Sequence, residues 1–316
     1  MKTQDFRNKW EKGLENYLSK IDKSRCNGFT RKSKCKEAAR HRHIIDLKAG
    51  ENELDVIKEY NVLDNKDDFE YLIGRRKVHQ YARHLNSSQV MCYNFFRPMI
   101  LVDSNKPKYG SPKDLLIRFV NEKIHVSISK DALCYFEYED IDTRKQFKSY
   151  TNNKGRGEKS QFDFYIKDGV TELFFEIKYT ESSFGKWPSD NNKISGQSII
   201  NHCSYIQNGY KSWLRDSQYF TEDCKNKILS FKESEFSYPQ NPFNAQYQLF
   251  RNALRARDSS YSIFIFPAAN PDIKREFEVF KKNLWDNQQH IIGLTWEDLK
   301  QYMLPEFIEK YISILE

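Results

Sequence analysis

Asp163, Glu176 and Lys178 combine two carboxylates with a cation inside one stretch of apolar sequence, Ser160-Gln-Phe-Asp-Phe-Tyr-Ile-Lys-Asp-Gly-Val-Thr-Glu-Leu-Phe-Phe-Glu-Ile-Lys178. The runs Gln161 to Ile166 and Leu173 to Tyr179 are aromatic and β-branched, and Lys167-Asp168-Gly169 between them predicts a hairpin turn. Side chains on a strand alternate faces, so Glu176 and Lys178 share one face while Phe175 and Ile177 share the other. Pairing across the turn brings Asp163 near Glu176. Two carboxylates held this close repel one another and raise one pKa, unless a divalent cation between them takes oxygen ligands. Mg²⁺, or Mn²⁺, is the expected ion. It would hold a phosphate oxygen and lower the pKa of a bound water that Lys178 orients or helps deprotonate, which is the chemistry of phosphodiester hydrolysis.

In a chain with 30% charged residues such a triplet also arises on solvated strands. Here it interrupts Phe, Ile and Tyr, where a purely structural strand would carry apolar residues. The pattern Asp163, Glu176-Ile177-Lys178 resembles the PD-(D/E)XK nuclease superfamily, with the restriction-endonuclease-like fold, and Tyr179-Thr-Glu-Ser-Ser-Phe-Gly185 resembles its bacterial restriction-endonuclease-like branches. Phe162 stands where that motif has proline. The resemblance implies an α/β fold with an αβββαβ core from about Pro112 to Trp296. It makes Asp163 and Glu176 metal ligands, Lys178 the catalytic lysine and the Ile177 carbonyl a further ligand. It also points to an acidic residue from the first core helix, Glu122, with Glu139 as the outsider, and to a glutamine after the catalytic strand, Gln197, reaching the phosphate or the attacking water. Ordinary exposed side chains are the competing reading of all three.

The elements that position these residues follow from periodicity. Phe6, Trp10, Leu14, Tyr17, Leu18 and Ile21 mark an amphipathic helix over Asp5 to Ile21. Short helices are expected over Glu51 to Tyr60 and Asp67 to Ile73, and a longer one over Arg75 to Phe96 that stops at Arg97-Pro98. The polar connector Asp103 to Pro112 suggests a basic helical lobe, 1–104, before a nuclease-like domain with a C-terminal helix, 105–316. In the second part, Lys113 to Lys123 reads as a helix and Ala132 to Tyr138 as the first strand. Lys193 to Ser217 and Pro242 to Leu254 read as helices, Tyr261 to Pro267 and His290 to Leu294 as strands, and Trp296 to Leu315 as a helix with a packing or dimerisation face.

The formal charge of +7 suits a polyanionic partner without requiring one. Arg75, Arg76 and Lys77, the loop residues Lys154 and Arg156, and Gln248, Arg251 and Arg255 on one helix face are candidates for phosphate contacts, each with a solvated surface as the alternative. Cys26, Cys35, His41 and His43 are potential zinc ligands, although their spacing departs from the usual paired pattern. Six scattered cysteines, no run of about 18–20 apolar residues and no apolar leader lead to the expectation of a soluble, cytoplasmic chain without a membrane partner.

The function expected is a metal-dependent endonuclease hydrolysing DNA, with a restriction or defence role implied by the resemblance. RNA is the alternative substrate, and a homodimer is consistent with cutting two strands. The competing functions are a catalytically inert nucleic-acid-binding protein of the same fold and an interaction scaffold using its aromatic surface.

Overall fold

The hairpin foreseen around Gly169 forms the centre of a five-stranded sheet in this computed structural model, which describes residues 3–26, 28–29, 40–64, 66–74, 78–79, 81–100, 112–140, 160–185, 210–229 and 242–314. Strand β4, Gln161–Asp168, turns back into β5, Thr171–Ile177. Gly169 sits at φ 58°, the left-handed region that the tight turn demands and glycine adopts freely. β3 (Leu133–Glu139) pairs antiparallel with β4, whereas β6 (Ser260–Phe266) and β7 (Ile291–Thr295) add parallel strands beyond β5. The order is β3-β4-β5-β6-β7. A two-residue pair, β1 (Gly28–Phe29) and β2 (Arg40–His41), lies apart from it.

Helices cover both faces. Alternation turns Phe164, Ile166, Leu173, Phe175, Ile177, Ile263 and Ile265 into one core with α4 (Ser88–Ile100), α5 (Pro112–Lys123) and α1 (Thr3–Asp22). Helices α2 (Glu53–Tyr60) and α3 (Lys66–Ile73) close the outside of that core. On the opposite face Phe264 and Phe266 meet Phe250, Phe277 and Phe280. This second layer contains α6 (Lys211–Asp216), α7 (Glu222–Leu229), α8 (Pro242–Ala245), α9 (Tyr247–Ala253) and α10 (Pro271–Lys281). Element order from α5 to β6 is the expected αβββαβ, with α10 and β7 appended. The proposed boundary at 104/105 and most of the helix expected over 193–217 lie outside the described residues, and residues on both sides of that boundary share the first core.

Three local expectations change. Residues 78–79 and 81–87 are not helical: His84 bridges Ile44, the Ile45 N–H donates to the Arg83 carbonyl, and the Leu85 N–H donates to the His43 carbonyl. A long-range backbone pairing there replaces the helix that local pattern favours. α4 starts after Ser87, whose hydroxyl receives the Val90 N–H, and continues through Pro98 to Ile100. The expected C-terminal helix is broken into a 3₁₀ segment, Trp296–Tyr302, and helical turns from Pro305 to Ile312, because Pro305 holds Leu304 extended. Its apolar stripe packs within the chain: Trp296, Leu299, Phe307, Tyr311 and Ile312 are fully buried in the first core. Among the described residues no helix is long and apolar enough to cross a membrane.

Candidate active site

The β4–β5 ladder runs from Asp168↔Thr171 to Phe164↔Phe175 and then opens. Asp163 fills the gap, its carboxylate accepting the Ile177 N–H at 2.6 Å. On the other side of β5 the Lys178 N–H donates to the Ile265 carbonyl at 2.8 Å, so the alternating backbone turns Ile177 N–H and C=O toward Asp163. The β3–β4 register also skips the Glu137–Asp163 pair. Glu137 has φ 51°, a conformation costly for a residue with a Cβ. Its buried carboxylate receives the Gln161 amide and borders the same cleft. Three carboxylates thus come from three neighbouring strands.

Glu176 is held from every side. Gln248 Nε2 donates to its Oε1 at 2.6 Å and Asn252 Nδ2 to its Oε2 at 2.7 Å, both from α9, where a four-residue spacing puts them on one face. Lys178 Nζ lies 2.8 Å from Glu176 Oε1 and donates to Gln248 Oε1 at 3.2 Å. The Lys178 carbonyl accepts Trp296 Nε1 at 3.0 Å, which anchors the strand end. Glu137, Asp163, Glu176, Lys178 and Gln248 line a cleft of about 470 Å³ together with His79, Tyr81, His84 and Asn86.

Burial, then the charges of Glu176 and Glu137, push the Asp163 carboxyl far above the usual range, against the opposing pull of Lys178 and the Ile177 N–H. Burial alone would lower the Lys178 ammonium, yet Glu176, Glu181 and Asp163 hold it above its ordinary value. Lys178 is therefore a cation and hydrogen-bond donor in this arrangement rather than a free base. Asp163, Glu176 and Glu137 line one cleft with hard oxygen donors, the ligand type that a divalent ion such as Mg²⁺ or Mn²⁺ takes. Asp163, Glu176 and Glu137 would hold it, with the Ile177 carbonyl facing the same gap.

Residues 20–312 match the family described as Restriction Endonuclease associating with ARP. The chain belongs to that family. No curated protein and no solved structure matches it. The mixed five-stranded sheet with helices on both faces is the restriction-endonuclease-like α/β arrangement.

In this restriction-endonuclease family member the remaining candidates scatter. Gln248 belongs to the cleft itself, as the clamp on Glu176 and Lys178. Glu122 receives the Tyr302 hydroxyl at 2.5 Å and the Gln301 amide at 3.3 Å, and lies outside the cleft lining. Glu139 pairs with Gln161 on β3, and it too is outside the lining. Arg255 is buried, with Asp140 Oδ2 at 3.1 Å and the rings of Phe174 and Trp213 beneath its guanidinium, so a phosphate has no access to it. Arg251 is half-buried over the Tyr247 ring. Arg75, Arg76, Lys77, Lys154, Arg156 and Gln197 lie outside the described residues. Sequence reasoning passed over Glu137, which strand alternation does not single out. It also passed over Asn252, which its four-residue spacing from Gln248 could have revealed.

Proposed function

We propose that this chain is a metal-dependent endonuclease of the PD-(D/E)XK type that hydrolyses DNA phosphodiester bonds in restriction or defence. The observation that carries the reading is the convergence of Asp163, Glu137 and Glu176 from three strands, with the Lys178 ammonium beside them, on one open cleft. Family membership supports DNA as the substrate.

A divalent ion bound by the three carboxylates would supply Lewis-acid activation of a water and neutralise charge on the phosphate. The chain's own residues do the rest. Asp163 is fixed by the Ile177 N–H, and Glu176 by Gln248 and Asn252, so neither carboxylate must reorganise as charge develops. Lys178, kept protonated by its acidic neighbours, offers N–H donors to the attacking water or to a non-bridging phosphate oxygen. His79, Tyr81 and His84 line the same cleft and would meet the nucleotides next to the scissile bond. One site per chain makes a homodimer the simplest device for cutting both strands.

Cleavage of plasmid, linear and single-stranded DNA with Mg²⁺ or Mn²⁺, against EDTA, tests this directly with the parent and Asp163→Ala. Metal-dependent cutting that disappears in the variant is the expected result. Absence of cutting under all conditions, with DNA still bound, would replace the nuclease with an inert binder of the same fold.

A further inference from the structure

A second group of ligating side chains stands outside the catalytic cleft. Glu11 on α1, His41 at the end of β2 and His43 two residues later each present a donor atom, and these atoms lie within 4.8 Å of one another. The three come from two separate parts of the backbone, brought together by the docking of residues 40–45 on α1. That docking is independently fixed by the ion pair between Arg42 and Glu15 at 2.7 Å, one helical turn along the same face as Glu11. His43 is buried, His41 half-buried and Glu11 exposed, so the group opens to solvent on one side.

We propose that Glu11, His41 and His43 bind a transition-metal ion, with Zn²⁺ as the natural occupant, in a structural site separate from the catalytic carboxylates. Two imidazoles and one carboxylate form a borderline donor set that suits Zn²⁺, whereas the all-oxygen set around Asp163 suits Mg²⁺ or Mn²⁺. Zinc donors in a tetrahedron stand about 3.4 Å apart, a separation that follows from metal–ligand distances near 2.1 Å. The exposed Glu11 and half-buried His41 can close to it by rotamer adjustment around the fixed His43 ring. Water would complete the coordination. Among the described residues no cysteine is part of this set: Cys26 Sγ sits 3.2 Å from Ser19 Oγ and 4.0 Å from the Glu15 carbonyl.

The site also has a structural reach. The His43 ring stands 6.1 Å from that of His84, which is 5.1 Å from Tyr81, itself 4.9 Å from His79. The last three line the catalytic cleft. An ion on His43 would therefore be linked, through one file of rings, to the cleft that Asp163 and Glu176 also line.

The test is a Zn²⁺ titration of chelator-stripped full chain, read by calorimetry and by the thermal midpoint. The proteins compared are the parent, Asp163→Asn/Glu176→Gln, His41→Ala and Glu11→Ala. The expected result is one tight site per chain in the parent and in the doubly substituted protein. Affinity should fall about 100-fold in His41→Ala and about 10-fold in Glu11→Ala, and Zn²⁺ should no longer raise the midpoint in His41→Ala. Because His41 and Glu11 are not buried, both variants should keep the parent's circular dichroism. Co²⁺ should give a tetrahedral visible spectrum without the near-ultraviolet thiolate band. The proposal is overturned by a parent that binds no Zn²⁺, by binding unchanged in His41→Ala, by loss of the site in the doubly substituted protein, or by a thiolate band.

Discussion

Asp163 and Ile177 are joined where the ladder between their strands stops: the carboxylate accepts at 2.6 Å the backbone N–H that a paired strand would otherwise have satisfied. One interaction thus ends the β4–β5 pairing and places a carboxylate in the gap between the two strands. The carboxyl is kept far above its usual pKa range by burial, Glu176 and Glu137. This places electrostatic cost at the candidate catalytic position.

Asp163→Asn separates the two roles. An amide oxygen can still accept the Ile177 N–H, while the cost of burying a carboxyl, and with it the repulsion from Glu176 and Glu137, is removed. Without metal the variant should be more stable than the parent by about 1–2 kcal/mol, and DNA cleavage should fall roughly 10³-fold, a loss of about 4 kcal/mol of transition-state stabilisation. Urea melts in EDTA and single-turnover cleavage measure these; a less stable variant would contradict the repulsion.

Glu137 is testable through its backbone. At φ 51° glycine fits and alanine is strained. Glu137→Gly should therefore be more stable than Glu137→Ala by about 1 kcal/mol, while both require about 10–100-fold more Mg²⁺ for half-maximal cleavage. Equal stability of the two variants would show that the left-handed conformation is not retained.

Asn252→Ala removes the amide donated to Glu176 Oε2 from a fully buried position. A cost of about 1–3 kcal/mol in stability is expected. Cleavage should decline about 10–100-fold, mostly as a raised metal requirement, which a Mg²⁺ dependence of the rate distinguishes from a change in DNA affinity.

Arg255 and Arg251 lie four apart on α9 and its end, yet only one is open to solvent. Arg255→Ala leaves Asp140 without this buried partner and should destabilise the fold by about 3–5 kcal/mol. Arg251→Ala should leave the melting midpoint nearly unchanged and weaken DNA binding, more strongly at low salt. Filter binding at two salt concentrations, with melts alongside, gives both readings.

Glu51 supplies a pH-dependent contribution remote from the cleft. Its two oxygens receive the Arg25 guanidinium at 2.6 and 2.7 Å and the Lys48 N–H at 2.8 Å, which lowers the carboxyl from 4.5 to about 2, the Arg25 hydrogen bonds contributing most. A carboxyl depressed in the folded state binds fewer protons than the unfolded chain between those values. Its stabilisation is therefore complete above about 4.5 and is lost as pH falls toward about 2. Glu51→Gln should lower the unfolding midpoint at pH 6 and lose that deficit near pH 2, which acid titration of the two melts would show.

How much of this was legible depended on how local the cause was. The hairpin could be read because alternation and the Asp168-Gly169 turn are properties of adjacent residues, and those same two facts bring Asp163 to Glu176 and Lys178. Glu137 could not be read, since it reaches the cleft only through a left-handed backbone angle that breaks the alternation. The helix expected through residues 78–87 failed because His43, Ile44 and Ile45, some forty positions earlier, recruit that backbone into pairing. Arg255 shows the converse: a helix-face spacing places it beside Arg251, but only the fold reveals Asp140 waiting underneath.

Residues 307–312 lie far along the chain, yet the Tyr311 carbonyl accepts the hydroxyl of Tyr179, one residue past Lys178, and its own hydroxyl accepts from Asn94 on α4. Lys310 is wholly enclosed and reaches Asn61, 249 positions away. A nascent chain that has not yet extended past residue 312 therefore lacks the support behind the strand end that carries Lys178. A ribosome would release a formed cleft only once these late residues had emerged, so the activity proposed for it would be withheld throughout most of synthesis.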